Sequence, residues 1–378
     1  MRHPLAPEAI LEKDLGADFE SAQRRSEETV QHRGVHYDTG VIFRGPGYSI
    51  PTRREDLDYA VVRRELQIIR DDLHANAVRI VGSDLTRLLT TTEIALEEGL
   101  EVWFSPMFFN YSAQETATKL VEAAKAVSLF ATSESGPVTF IAGSELTLFV
   151  SDIVPAKSIE LRLAKLKSDP SLLRNGRLGT FLNSLVPELR SVFRGPLTYA
   201  ALMFEQLDWD LFDFVGVDHY RDDRVKDRYI AMIEPLVATG KPVIVTEFGM
   251  RTYRGAQSSG ALGLGITDPK RLFLHNLPIV GRFIRPRLRA AFDRDEAMQA
   301  REIDETLTEL EHAGVAGALL STFCTPQSPI DSKPRYDLDL DSMAIVKALP
   351  RHQRGTRYPD MYWEPKMAFE TVAEHYAS

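Results

Sequence analysis

The feature that most constrains this chain is a rhythm. Short apolar runs rich in β-formers recur along it, and each is followed by a stretch whose apolar residues return with helical spacing. The runs are GVHYDTG (34 to 40), AVRIVG (77 to 82), LEVWFSP (100 to 106), PVTFIAGSE (137 to 145), PLTYAALMF (196 to 204), FDFVGVDHY (212 to 220), PVIVTEFGM (242 to 250) and GALLSTFC (317 to 324). Residues 56 to 75 and 295 to 314 are the clearest of the intervening amphipathic helices. Strands alternating with helices are the pattern of parallel βα units, and eight such units close a barrel.

Prolines open several of the runs, as in GPVTF, GPLTY and KPVIV, where proline ends the preceding helix and favours an extended entry. There is no low-complexity segment and no Ser/Pro-rich linker. The expectation is therefore an α/β protein, a single (β/α)8 TIM barrel over residues 33 to 378, with residues 1 to 32 as an N-terminal helical extension. Residues 251 to 294 depart from the rhythm after the seventh strand and read as a long insertion, a loop subdomain over the barrel mouth. They carry Lys270, Arg271, Arg282, Arg285, Arg287, Arg289 and Arg294. Such a charge run is ordinarily a solvated loop or an oligomer contact, with a homo-oligomer as the partner, and less often a seat for an anionic ligand.

The 378 residues are 44% hydrophobic and 26% charged, enough apolar material for one large core. A net charge of −9 argues against nucleic acid, and against anionic membranes, as partners. The single cysteine, Cys324, forms no intrachain disulfide. The N-terminus shows no apolar leader and no stretch reaches membrane-spanning length, so a cytoplasmic location is expected.

Side chains alternate along a strand, so parity sorts each run into helix-facing and barrel-facing sets. Val243, Val245 and Glu247 share one parity, as do Thr139, Ile141, Gly143 and Glu145, while Arg79 is directed inward between Val78 and Ile80. Two glutamates thus end the fourth and seventh strands, facing each other across the mouth. Hydrolysis of a glycoside with retention requires two carboxyl groups about 5 to 5.5 Å apart, one attacking the anomeric carbon and one protonating the leaving oxygen. A guanidinium beside Glu247 would keep it ionised as the nucleophile, and a drier site would keep Glu145 protonated as the acid. Either glutamate alone could equally be an ion-pair partner at a strand end.

With these residues placed, the chain resembles the clan A glycoside hydrolases from about Arg33 to a terminal helix over residues 363 to 377. The resemblance implies that Glu145 in IAGSE is the acid/base and Glu247 in VTEFG the nucleophile. It also matches Arg79 to the clan's strand 2 arginine, and Tyr220 in VGVDHY to the tyrosine that hydrogen-bonds the nucleophile. Two positions depart from it. Ser144 stands where the clan usually has a sugar-binding asparagine, as in some endo-β-mannanase-like members. Phe323 is the nearest substitute for the strand 8 tryptophan that floors the sugar subsite.

Tyr37 and Asp38 after the first strand, Asn110 after the third and Asp218 beside Tyr220 complete the substrate-contact candidates. Parity assigns His219 to the core with Val215 and Val217, and Trp209 to packing. Asp337, Asp339 and Asp341 lack the glycine and distal glutamate of a Ca²⁺ loop and read as a capping or hydroxyl-binding loop. No HExxH, cysteine pair, Walker A or dinucleotide glycine motif occurs, so no metal or organic cofactor is expected. The leading expectation is a retaining O-glycosidase acting on a β-linked oligosaccharide or small glycoside. The alternatives are a sugar-binding barrel that has lost the chemistry and a metabolic barrel enzyme acting on a phosphorylated substrate.

Overall fold

The computed structural model describes residues 30–45, 48–53, 57–131, 137–174, 176–258, 265–277, 279–350 and 352–378. The helical extension expected over residues 1 to 32 therefore lies, up to residue 29, outside the described residues. Eight parallel strands close a barrel: β1 (His32–Asp38), β2 (Ala77–Gly82), β3 (Glu101–Pro106), β4 (Val138–Ser144), β5 (Leu197–Leu202), β6 (Val215–Asp218), β7 (Val243–Phe248) and β8 (Gly317–Leu320). Each pairs with its neighbours in sequence and β8 closes on β1, aligning His32 with Gly317 and Val35 with Leu320.

The principal outer helices are α1 (Tyr59–Asp71), α2 (Leu85–Glu97), α3 (Ala113–Val127), α4 (Arg177–Val192), α5 (Tyr229–Val237), α6 (Glu296–His312) and α7 (Met367–Ala377). Their ends follow local chemistry. Asp58 and Asp295 cap α1 and α6 by accepting from Ala60 N and Met298 N, and Ser112 and Glu115 form a reciprocal capping box on α3. The even βα alternation fails once: only a 3₁₀ turn, Trp209–Leu211, lies between β5 and β6. Trp209 packs there against Phe212, with ring centroids 5.9 Å apart. Trp363, expected in the terminal helix, instead lies in a short strand, Trp363–Pro365, antiparallel to Val346–Ala348.

Parity divides the core as strand geometry requires. Val78, Ile80, Phe140, Val215, Val217, Val243 and Val245 join the large cluster between barrel and helices. Ala77, Trp103, Ile141, Ala200, Ile244 and Leu319 form a separate cluster inside the barrel, with Trp103 at full burial filling much of it. With this cluster packed inside it, the barrel is not a pore. No helix among the described residues is long and apolar enough to cross a membrane.

Candidate active site

Glu247 sits on β7, but strand alternation alone does not account for its direction. Val243 and Val245 face the helices, and a residue of the same parity would follow them. The register breaks between Val217–Val245 and Asp218–Glu247, so an extra residue on β7 turns Glu247 toward the mouth. Thr246 is fully buried beside it, its carbonyl accepting from Arg79 Nη1 at 3.0 Å. A second irregularity re-aims β4, where the pairing shifts between Ile141–Thr198 and Ser144–Ala200. Gly143 has φ +114°, and a Cβ there would lie 2.7 Å from the Leu146 side chain. Ser144 is thereby directed to Asp218, and Glu145 follows in the left-handed region with φ 49°.

These turns bring three carboxyl groups together: one oxygen each from Glu145, Asp218 and Glu247 lies within 4.8 Å of the others. Arg79, buried on β2, reaches Glu247 Oε1 at 3.0 Å and Asp218 Oδ1 at 3.5 Å. The Tyr220 hydroxyl donates to Glu247 Oε2 at 2.6 Å. Asp218 has no exposed side-chain surface and accepts from Ser144 Oγ at 3.0 Å and Thr246 Oγ1 at 2.6 Å. Among the described residues this trio is the group whose spacing would admit a cation, but Arg79 already places a positive charge against two of its members.

The electrostatics separate the two glutamates. Burial would raise the pKa of Glu247, but the Arg79 guanidinium and the hydrogen bonds from Tyr220 and Arg79 hold it below the usual carboxylate value. Glu145 is pushed well above that value by burial first and then by the charges of Asp218 and Glu247. Asp218 is raised to about 8 by burial and by Glu247, with Arg79 and the two hydroxyls opposing. One guanidinium cannot balance three charges in so small a volume, so neutral pH favours an ionised Glu247 beside a protonated Glu145.

Glu145 is supported from behind. Leu146 N donates to Tyr199 Oη at 2.8 Å, and Glu205 accepts from Thr147 N at 3.1 Å and Leu202 N at 2.9 Å. Neither Tyr199 nor Glu205 was legible as a site residue, because their roles arise from the turn after β4. His36 was missed although parity supplied a signal: on β1 it shares a face with Asp38. Its Nε2 donates to the Thr246 carbonyl at 2.7 Å, and burial followed by the Arg79 charge lowers its pKa to about 4.

Other expected contacts lie elsewhere. Tyr37 turns to the helix side of β1, where its hydroxyl donates to Glu65. Asp38 ends β1 and accepts from Gly40 N at 2.8 Å. The Asn110 amide is held by Arg162 and by the Lys157 carbonyl, tying down the loop after β4. Phe323 is buried edge-on to Trp363, with centroids 5.1 Å apart, and offers no open face. His219 stacks on Tyr229 at 4.0 Å, away from the carboxyl groups. Asp337 and Asp339 bind Arg294, and Asp339 also binds Lys366, so this loop is tied by ion pairs. A cavity of about 800 Å³ has none of the three carboxyl residues in its lining, which includes Tyr37, Arg53, Glu65, Cys324, Tyr336 and Trp363.

No protein-family model matches the chain, and no curated protein does. Solved structures do share its fold. A GH113 β-1,4-mannanase superposes with a TM-score of 0.53 at 13% identity, covering 92% of this chain and 98% of that one. A GH2 β-galacturonidase from Eisenbergiella tayi bound to galacturonate gives 0.52 at 15%, with 92% of this chain and 51% of that one covered. The β-glucuronidase of Parabacteroides merdae gives 0.52 at 15%, covering 92% and 36%. The chain thus spans about half or less of the β-galacturonidase and the β-glucuronidase. At these identities the likeness is one of fold.

Proposed function

We propose that the protein is a retaining glycosidase acting on a β-linked oligosaccharide or small glycoside. The observation that carries the reading is the pair Glu145 and Glu247, whose carboxyl oxygens come within 4.8 Å and whose pKa values are driven in opposite directions. That separation suits direct attack on an anomeric carbon and leaves too little room for the intervening water that inversion requires.

In this reading Glu247 attacks the anomeric carbon while Glu145 gives its proton to the departing glycosidic oxygen, leaving a glycosyl ester on Glu247 and a carboxylate on Glu145. Glu145 then takes a proton from water, whose oxygen attacks the anomeric carbon and releases Glu247. Tyr220 and Arg79 orient the nucleophile, and the bulged β7 mounts it rigidly. Activity falls on the acid side as Glu247 gains its proton and on the alkaline side as Glu145 loses its own. Ser144 turns its hydroxyl to Asp218, so a sugar hydroxyl in this corner meets a hydroxyl and a carboxyl group. Residues 251 to 294 form, in this account, a subdomain at the rim of the mouth. Asp341 ties it in by accepting from Ile266 N at 2.9 Å and Thr267 N at 3.0 Å.

The test is a screen of aryl β-glycosides, including β-mannosides, β-glucuronides and β-galacturonides, together with manno-, gluco-, xylo- and arabino-oligosaccharides. Glu145→Gln and Glu247→Gln serve as controls. Turnover by the parent protein that both substitutions abolish supports the reading. Saturable binding without turnover would make the protein a sugar-binding barrel, and unimpaired turnover by Glu247→Gln would remove the proposed nucleophile.

A further inference from the structure

The net charge of −9 is not spread evenly. Between Gly265 and Arg289, within the connection from β7 to α6, the sequence holds six lysines and arginines against one acid, Asp268. The same stretch carries the most exposed aromatic side chain among the described residues: Phe283 is 86% exposed, and Ile279 is 77% exposed beside it. Phe273, Leu274 and Val280 are exposed as well. Arg285 pairs with Asp331 and Arg287 with Asp268. Scattered single apolar residues on a surface need no explanation, but five within eleven positions of so basic a stretch do.

The local structure explains why these residues stand outward. The base of the segment is a two-stranded stalk in which Arg289 N donates to Ile266 O at 2.8 Å and Asp268 N to Arg287 O at 2.8 Å. Leu288 is fully buried and its N donates to Arg335 O at 2.7 Å, which fixes the stalk to the loop after β8. Above it, the helix Pro269–His275 and the 3₁₀ turn Val280–Phe283 fold against each other. Gly281 allows that approach, since a Cβ there would lie 2.0 Å from the His275 carbonyl oxygen. His275 Nδ1 completes the clamp by donating to Ile284 O at 2.6 Å. Leu274, Ile279, Val280 and Phe283 stand exposed on this internally bonded element.

The geometry points to this hairpin as a docking surface for an anionic lipid bilayer, with Leu274, Ile279, Val280 and Phe283 entering the headgroup boundary and Lys270 and Arg282 meeting phosphate. Lys270 and Arg282 are exposed, and their side chains make no ion pair or hydrogen bond among the described residues. Apolar residues flanked by lysine and arginine on a short, internally bonded element are what an interfacial anchor needs, because burial and charge attraction then act together. Nucleic acid would use the cations but give the aliphatic residues no partner. A second copy of the same hairpin would set six cations against six. The inference stands apart from the reaction proposed above.

The test is co-flotation of the full chain with phosphatidylcholine vesicles, with and without about a third phosphatidylserine, at low and high salt. Binding to the anionic vesicles is expected, weakened at least about tenfold by Ile279→Ser with Phe283→Ser, and abolished by Lys270→Glu with Arg282→Glu. All four positions are exposed, so the thermal midpoint should not move, and that is checked in parallel. Absence of binding to anionic vesicles overturns the inference, as does binding that both double variants retain. A parent protein that is oligomeric in solution and becomes monomeric in Ile279→Ser/Phe283→Ser, with no lipid binding, would make the patch a self-association surface instead.

Discussion

Asp218 offers a test that requires no substrate. Its side chain is fully buried and its pKa is raised from 3.8 to about 8, by burial first and then by the charge of Glu247. Below the unfolded pKa the carboxyl is protonated in both states and contributes no pH dependence. Between the two values the unfolded chain releases the proton while the folded protein retains it, so stability falls as pH rises, until the folded group also ionises near pH 8. At ~1.4 kcal/mol per pKa unit, the span from about pH 5 to about pH 8 corresponds to at most ~4 kcal/mol. Asp218→Asn cannot ionise and keeps the shape of the neutral acid, and its amide can still engage Ser144 Oγ and Thr246 Oγ1. Urea denaturation of both proteins across that range should show the variant gaining on the parent by ~2 to 4 kcal/mol as pH rises. Two stability curves that run parallel would mean that Asp218 is ionised throughout, and the charge account of the site would fail.

Tyr220→Phe removes the 2.6 Å hydrogen bond to Glu247 and should move the acid limb of the pH–rate profile upward by about one unit, with kcat/KM down ~10- to 100-fold. An unchanged acid limb would separate Tyr220 from the nucleophile. Asn110→Ala frees the Arg162 contact and should lower the thermal midpoint while leaving KM unchanged, since the amide serves the loop and not a ligand. Lys366→Met leaves Asp339 with Arg294 alone in a fully buried setting and should cost ~3 to 5 kcal/mol of unfolding free energy.

The architecture was legible because every strand announced itself as an apolar run of the right length, and parity set Arg79 inside and Val78 and Ile80 outside. It was less legible where the backbone breaks the alternation. Glu247 and Ser144 reach the cluster through register shifts on β7 and β4, and a simple period of two would send Glu247 after Val245 toward the helices. Nothing in VIVTEF announces a bulge, whereas Gly143 is at least permissive of one. At β1 the sequence did hold the answer: the alternation of His36, Tyr37 and Asp38 sends the tyrosine outward, and its aromatic character is no guide to its direction. Asn110 and Phe323 show a different limit, since a polar or aromatic residue after a strand can serve loop and core as readily as a ligand.

The central claim is that Glu247 forms a covalent glycosyl ester. With an aryl glycoside that the parent turns over, Glu247→Ala should lose hydrolysis and recover cleavage in azide, yielding a glycosyl azide of inverted anomeric configuration, while Glu145 remains intact. Hydrolysis by Glu247→Ala without azide, or a parent product of inverted configuration, would contradict it.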